Sequence, residues 1–121
     1  MRCVIVDDSP DFVDAARGLL EHDGIAIVGV ASTSVEALRC FEELCPDVIL
    51  VDVNLGGENG FELAEQLHRC GVATPPPVIL ISTLAEQDLA DMIATSPAIG
   101  FLCKINLTPD AIRELMEYDH H

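Results

Sequence analysis

Short apolar runs alternate five times with amphipathic stretches along this chain, and that alternation restricts the fold more than any other feature. The runs are Cys3–Val6, Ile25–Val30, Val48–Val51, Val78–Ile81 and Ile99–Cys103. Each has the length of a strand and is apolar on both faces, as a sheet covered on both sides requires. Helical spacing follows each run. Phe12, Ala15, Ala16, Leu19 and Leu20 mark the first helical face, then Val35, Leu38 and Phe41, then Phe61, Ala64 and Leu67. A sparser face of Leu89, Met92 and Ile93 lies within Ala85–Thr95, and Ile112, Leu115 and Met116 form the last. Ser9–Pro10 and Thr108–Pro109 each pair an N-cap with proline at the first helical position. Thr33 and Glu36 have the spacing of a capping box, and Gly24 stops the first helix. Asn54–Gly60 reads as a glycine-rich loop. Thr74–Pro77 reads as a stiff connector, because consecutive prolines can join neither a helix nor a central strand. The expected fold is α/β: a five-stranded parallel sheet in a doubly wound three-layer sandwich with five helices.

The 121 residues suit one domain, here residues 1–119, with His120 and His121 read as the remnant of a purification tag. Half of the chain is hydrophobic but only 4% is aromatic, so aliphatic side chains must fill the core. Twenty-one acidic residues stand against six basic ones, a formal charge of −15. Such a surface is repelled by nucleic acid and by anionic membrane, which excludes direct nucleic-acid binding and membrane attachment by charge. The apolar runs are too short to cross a bilayer, and Asp7 and Asp8 interrupt the N-terminal one, so no signal peptide is visible. A cytoplasmic protein is expected. The five cysteines are odd in number and form no CxxC; buried free thiols are the simplest reading, and Cys3 and Cys103 lie in strand runs.

In parallel sheets of this kind, ligands bind beyond the carboxyl ends of the strands. The first run ends at Asp7 and Asp8, the third at Asp52, the fourth at Ser82 and Thr83, and the fifth at Lys104, the only lysine in the chain. Taken singly, each residue has an ordinary explanation: a helix cap, a loop aspartate, a turn hydroxyl, a surface lysine. Their conjunction at one rim points to a site. Carboxylates crowded to 4 Å repel by about 4 kcal/mol per pair at an effective dielectric near 20. Mg²⁺ or Mn²⁺ would relieve that repulsion, since hard cations take oxygen ligands. No GxGxxG or GxxxxGK[ST] is present, so nucleotide binding has no motif behind it.

Together VIVDDSP, VILVDVNL, ILIST and GFLCK resemble the receiver domain of bacterial two-component response regulators, over essentially the whole chain. The resemblance implies a flavodoxin-like fold and a phosphoacceptor switch. It implies Asp52 as the phosphoacceptor, with Ser82 and Lys104 assisting. Asp7, Asp8, Asp52 and the backbone carbonyl of Asn54 would hold the cation, Asp8 directly and Asp7 largely through water. Ser82 and Phe101 would be the switch pair, with Thr83 the small residue beside Ser82. A cognate histidine kinase or phosphotransfer protein is the implied donor. An output domain outside this chain, controlling transcription, and a possible homodimer are the implied partners. Two positions depart from the family pattern. Ile105 follows the lysine where proline, often with a cis bond, is usual. Gly56 stands where proline is common, which predicts a looser loop. Leu84, two residues past Ser82, is apolar and unsuited to positioning a hydrolytic water, which predicts a long-lived phosphoaspartate.

The leading reading is therefore a switch rather than a turnover enzyme. One alternative is a receiver-like scaffold that binds partners without phosphorylation. Another is a Mg²⁺-dependent phosphatase with an aspartyl nucleophile, but that chemistry favours a DxD motif, and VDVN supplies one carboxylate. A flavodoxin-like redox role lacks a hydroxyl-rich phosphate loop after the first strand.

Overall fold

The computed structural model describes residues 1–69 and 76–118. Cys70, Thr74, Pro75 and the terminal histidines lie outside the described residues, as do the readings placed on them.

Five strands form one parallel sheet: β1 (Arg2–Val6), β2 (Ala26–Ala31), β3 (Val48–Asp52), β6 (Val78–Ser82) and β7 (Gly100–Cys103), in the order β2-β1-β3-β6-β7. The three central strands carry the most apolar sequences; every residue of β3 and β6 is buried. Strands β4 (Asn54–Leu55) and β5 (Glu58–Asn59) form a small antiparallel hairpin. The helices are α1 (Pro10–His22), α2 (Ser34–Leu44), α3 (Gly60–His68), α4 (Ala90–Thr95) and α5 (Pro109–Tyr118). This is the doubly wound arrangement the alternation predicts, and the flavodoxin-like fold the resemblance implies.

Alternating strand residues feed two separate cores. Val4, Val6, Ile49, Val51 and Leu80 meet α2, α3 and α4 on one side. Cys3, Ile5, Leu50, Ile79 and Ile81 meet α1 and α5 on the other. Burial pushes the Cys3 thiol up to about 12, which makes it an inert packing group. The caps read from the sequence are formed. Ser9 Oγ accepts from Phe12 N, Thr33 Oγ1 from Glu36 N and Thr108 Oγ1 from Ala111 N.

The structure differs from the expected elements in four places, three of them helical. In α1 the buried residues are Val13, Ala16 and Leu20, while Leu19 is exposed; the inward stripe is centred one residue away from where Ala15 and Leu19 would put it. In α2, Ala37 and Phe41 face inward and Val35 is 66% exposed. The region Ala85–Thr95 is no single helix: a 3₁₀ turn at Glu86–Leu89 precedes the six-residue α4, and neither buries any residue. The Asn54–Gly60 segment is closed as the β4–β5 hairpin. Its Gly56 and Gly57, at φ +53° and +106°, make the tight turn.

At Gly60 the start of α3 lies directly against the backbone at the end of β3. A Cβ there would lie 2.1 Å from the carbonyl oxygen of Asp52 and 2.8 Å from Val53 Cα, both backbone atoms with little freedom to yield. Gly60→Ala is expected to cost about 2 kcal/mol, which in a domain of this size lowers the thermal midpoint by about 8 °C. An unchanged midpoint in thermal unfolding would show that α3 is not so tightly seated.

Candidate functional site

The β-sheet register brings the strand ends to one rim. Asp52 pairs with Ile81, and Ser82 with Cys103, the residue before Lys104. Asp7 continues β1 by one step, its N–H donating to Ala31 O at 2.9 Å. Three different crossovers thus deliver Asp7, Asp52, Ser82 and Lys104 to one edge, and all but Lys104, which is half-buried, are buried.

Lys104 is the centre of the arrangement. Its Nζ lies 2.6 Å from Asp7 Oδ2 and 3.2 Å from Asp52 Oδ2. The same ammonium sits 4.5 Å from the centroid of the Phe12 ring. The second oxygens of the two aspartates are held by backbone: Asp7 Oδ1 accepts from Ser9 N at 2.8 Å, and Asp52 Oδ1 from Asn54 N at 3.1 Å. Asp7 Oδ2 is sealed from solvent and has the ammonium as counter-charge, but no donor of regular hydrogen-bond geometry reaches it among the described residues. Ser82 Oγ accepts from Leu84 N at 3.0 Å.

Asp8 completes the group from the solvent side. One oxygen from each of Asp7, Asp8 and Asp52 lies within 4.8 Å of the others. Asp8 is exposed, and its carboxylate rests against Gly56, where a Cβ would come 2.6 Å from Oδ2. Proline, held at φ near −65°, cannot adopt the +53° found at Gly56.

The electrostatics are unequal. Burial pushes the Asp52 carboxyl above its ordinary value, aided by the charge of Asp7; the Asn54 N–H and Lys104 act the other way without cancelling the shift. For Lys104, burial opposes the charge, but the close contact with Asp7 and the charge of Asp52 outweigh it and hold the ammonium above its ordinary value. The site is therefore a partly desolvated carboxylate with a fixed cation on one oxygen, a hydroxyl on the adjacent strand and two further carboxylates beside it.

The other positions named from the sequence fall around this centre. Phe101 is buried and packs in the core on the α4 side. Asn54 is exposed in β4 and meets Asp52 through its N–H. Thr83 is exposed, and its carbonyl oxygen lies 4.0 Å from Cys103 Sγ. No cis peptide bond occurs among the described residues; after Lys104 the chain turns as a 3₁₀ segment, leaving Ile105 88% exposed. Sequence reasoning missed Phe12 as part of the site, placing it in the apolar face of α1. Its position one turn beyond Asp8, in a chain with four phenylalanines, is the available signal.

A family model described as "Response regulator receiver domain" matches residues 3–117. The chain belongs to this family. It is 33% identical over 93 residues to protein-glutamate methylesterase/protein-glutamine glutaminase 3 of Hahella chejuensis, covering 77% of this chain and 25% of that protein. It is 29% identical over 107 residues to the DNA-binding transcriptional activator EvgA of Escherichia coli, covering 86% of this chain and 50% of that one. The chain thus spans a quarter to a half of the length of these relatives. The response regulator domain of Thermotoga maritima CheB shares the fold, with a TM-score of 0.82, 22% identity and coverage of 97% of this chain and 94% of that one. Among the described residues of this receiver domain, no helix is long and apolar enough to cross a membrane.

The raised carboxyl of Asp52 has a consequence for stability. A folded-state pKa above the unfolded one means that the folded chain holds the proton more tightly. Stability from this group is full below the unfolded carboxylate range and is lost as pH rises through the folded value. Asp52→Asn removes that loss. In metal-free buffer at pH 7 it is expected to raise the thermal midpoint, with the gap closing toward acid pH. A variant less stable than the parent at pH 7 would contradict this account of Asp52.

Proposed function

We propose that this receiver domain is a phosphoacceptor switch, with Asp52 taking a phosphoryl group from the phosphohistidine of a kinase or phosphotransfer protein. The observation that carries this reading is the pair of fixed contacts on the Asp52 carboxylate, Asn54 N–H on Oδ1 and the Lys104 ammonium on Oδ2. They orient a nucleophile that is already partly stripped of water. A carboxylate oxygen of Asp52 forms the new bond to phosphorus as the phosphorus–nitrogen bond of the donor breaks. Lys104 neutralises charge on the transferred oxygens, and the Ser82 hydroxyl donates to one of them once its loop has moved.

The residues present fit a divalent cation. Three carboxylate oxygens from Asp7, Asp8 and Asp52, the hard donors such a cation takes, converge within 4.8 Å, and exposed Asp8 leaves the group open on one side. Asp7, Asp8, Asp52 and the Asn54 carbonyl are the proposed ligands, with Asp8 binding directly from the open side. Bound Mg²⁺ or Mn²⁺ would supply Lewis-acid screening of the charge on the phosphoryl oxygens. On this reading the domain is a switch and not a turnover enzyme. Its output, transcriptional control being the proposal, lies in a domain or partner outside the chain, and pairing with a second copy is part of the same proposal.

Phosphorylation adds up to about two negative charges and new acceptor oxygens. Those charges attract Ser82 and Lys104 and bias the segment after Ser82, whose 3₁₀ turn and α4 hold no fully buried residue. Phe101 beside that segment is the proposed second member of the switch.

Intact mass after incubation with acetyl phosphate is the decisive measurement. One phosphoryl adduct is expected with Mg²⁺, none with a chelator and none in Asp52→Asn. A folded parent chain that takes no adduct would instead favour a phosphorylation-independent scaffold. A second expectation concerns lifetime. Leu84 is 52% exposed at the rim and offers no polar side chain to orient water, so the adduct should persist for hours. Leu84→Asn should shorten its life several-fold. A parent half-life of minutes would remove this role for Leu84.

A further inference from the structure

The groove between α2 and α3 lies outside the site just described, on the side of the sheet opposite α1 and α5. It consists of two continuous hollows of about 550 and 510 Å³ that share Leu38, Glu62 and Gln66. Its apolar floor is Val35 and Leu38. Val35 is two-thirds exposed there, although α2 has Ala37 and Phe41 to serve the core. The walls carry Glu42, Glu58, Glu62 and Glu65 against one guanidinium, Arg69. That guanidinium is already committed to Glu65, 3.1 Å away.

We propose that this groove docks a basic amphipathic helix of a partner protein. Charge decides the class of occupant. An acidic trough in a chain of charge −15 repels nucleic acid and anionic lipid, whereas lysine or arginine flanking an apolar stripe matches both walls and floor. Size decides the element. The eleven residues of α2 run about 16 Å, the length of about three helical turns. Apolar residues at helical spacing would lie on Val35 and Leu38, and the basic residues would meet Glu42 and Glu62. One end of the groove is fastened to the phosphoacceptor side, because Glu58 Oε1 accepts from Ser34 N at 3.1 Å and so ties the hairpin after Asp52 to the start of α2. The proposal does not depend on phosphorylation.

The test titrates the isotope-labelled chain with a short amphipathic helical peptide of leucine and lysine, followed by amide chemical shifts and by affinity at low and physiological salt. Shifts are expected in α2, α3 and the β4–β5 hairpin. The pair Glu42→Lys with Glu62→Lys should weaken binding about tenfold. A control pair of equal charge change on the opposite side, Asp14→Lys with Glu114→Lys, should weaken it less than about twofold. Val35→Ser, at an exposed position that the fold does not need, should weaken it about threefold. Equal losses from both charge pairs, or shifts spread over α1 and α5, would reduce the effect to diffuse attraction and overturn the proposal. So would a failure of the parent chain to bind at low salt.

Discussion

The structure of this rim depends on one ammonium group. Asp7 and Asp52 are both buried, with Asp8 at their edge, and Lys104 is the cation that reaches the two buried ones. Two buried carboxylates without a counter-charge would each face a penalty of several kcal/mol, and one would take up a proton to escape it. Lys104 prevents that by bonding across two strands that are not neighbours, β1 and the end of β7. Phe12 adds an aromatic face to the same ammonium, so α1 also takes part in holding it. The lysine is thus structural before it is chemical. It offsets part of the upward pKa shift that burial imposes on Asp52.

The strand ends of this site were legible in the sequence because period and position carry the information. Apolar runs with both faces buried place their last residue at the carboxyl edge of a parallel sheet, and Asp7, Asp52, Ser82 and Lys104 each follow such a run. What was not legible depends on contacts between elements. The shift of the α1 stripe toward Val13, and the exposure of Val35, are set by which neighbour each helix meets, and periodicity alone does not name the neighbour. The cation–π contact of Phe12 requires that α1 and the end of β7 meet, a pairing of residues 92 positions apart. The hairpin after Asp52 was hidden for another reason. Two-residue strands fall below any periodic signal, and only the paired positive φ angles of Gly56 and Gly57 disclose the turn.

The two sides of Asp52 are built with different firmness. On one side, the hairpin is pinned at several points: Gly60 N to Val53 O, Asn59 Oδ1 to Phe61 N, and Glu58 to Ser34 N, with Leu55 buried beneath. On the other side, the segment after Ser82 has an exposed Thr83, Leu84 and Ala85, a 3₁₀ turn and a short helix with no buried residue. Local opening is cheapest where few apolar contacts must be given up. A change of charge at Asp52 therefore meets a stiff wall at the hairpin and a compliant one beyond Ser82. Direction in such a switch comes from that asymmetry: the same perturbation acts on both sides, and the side with less buried surface yields.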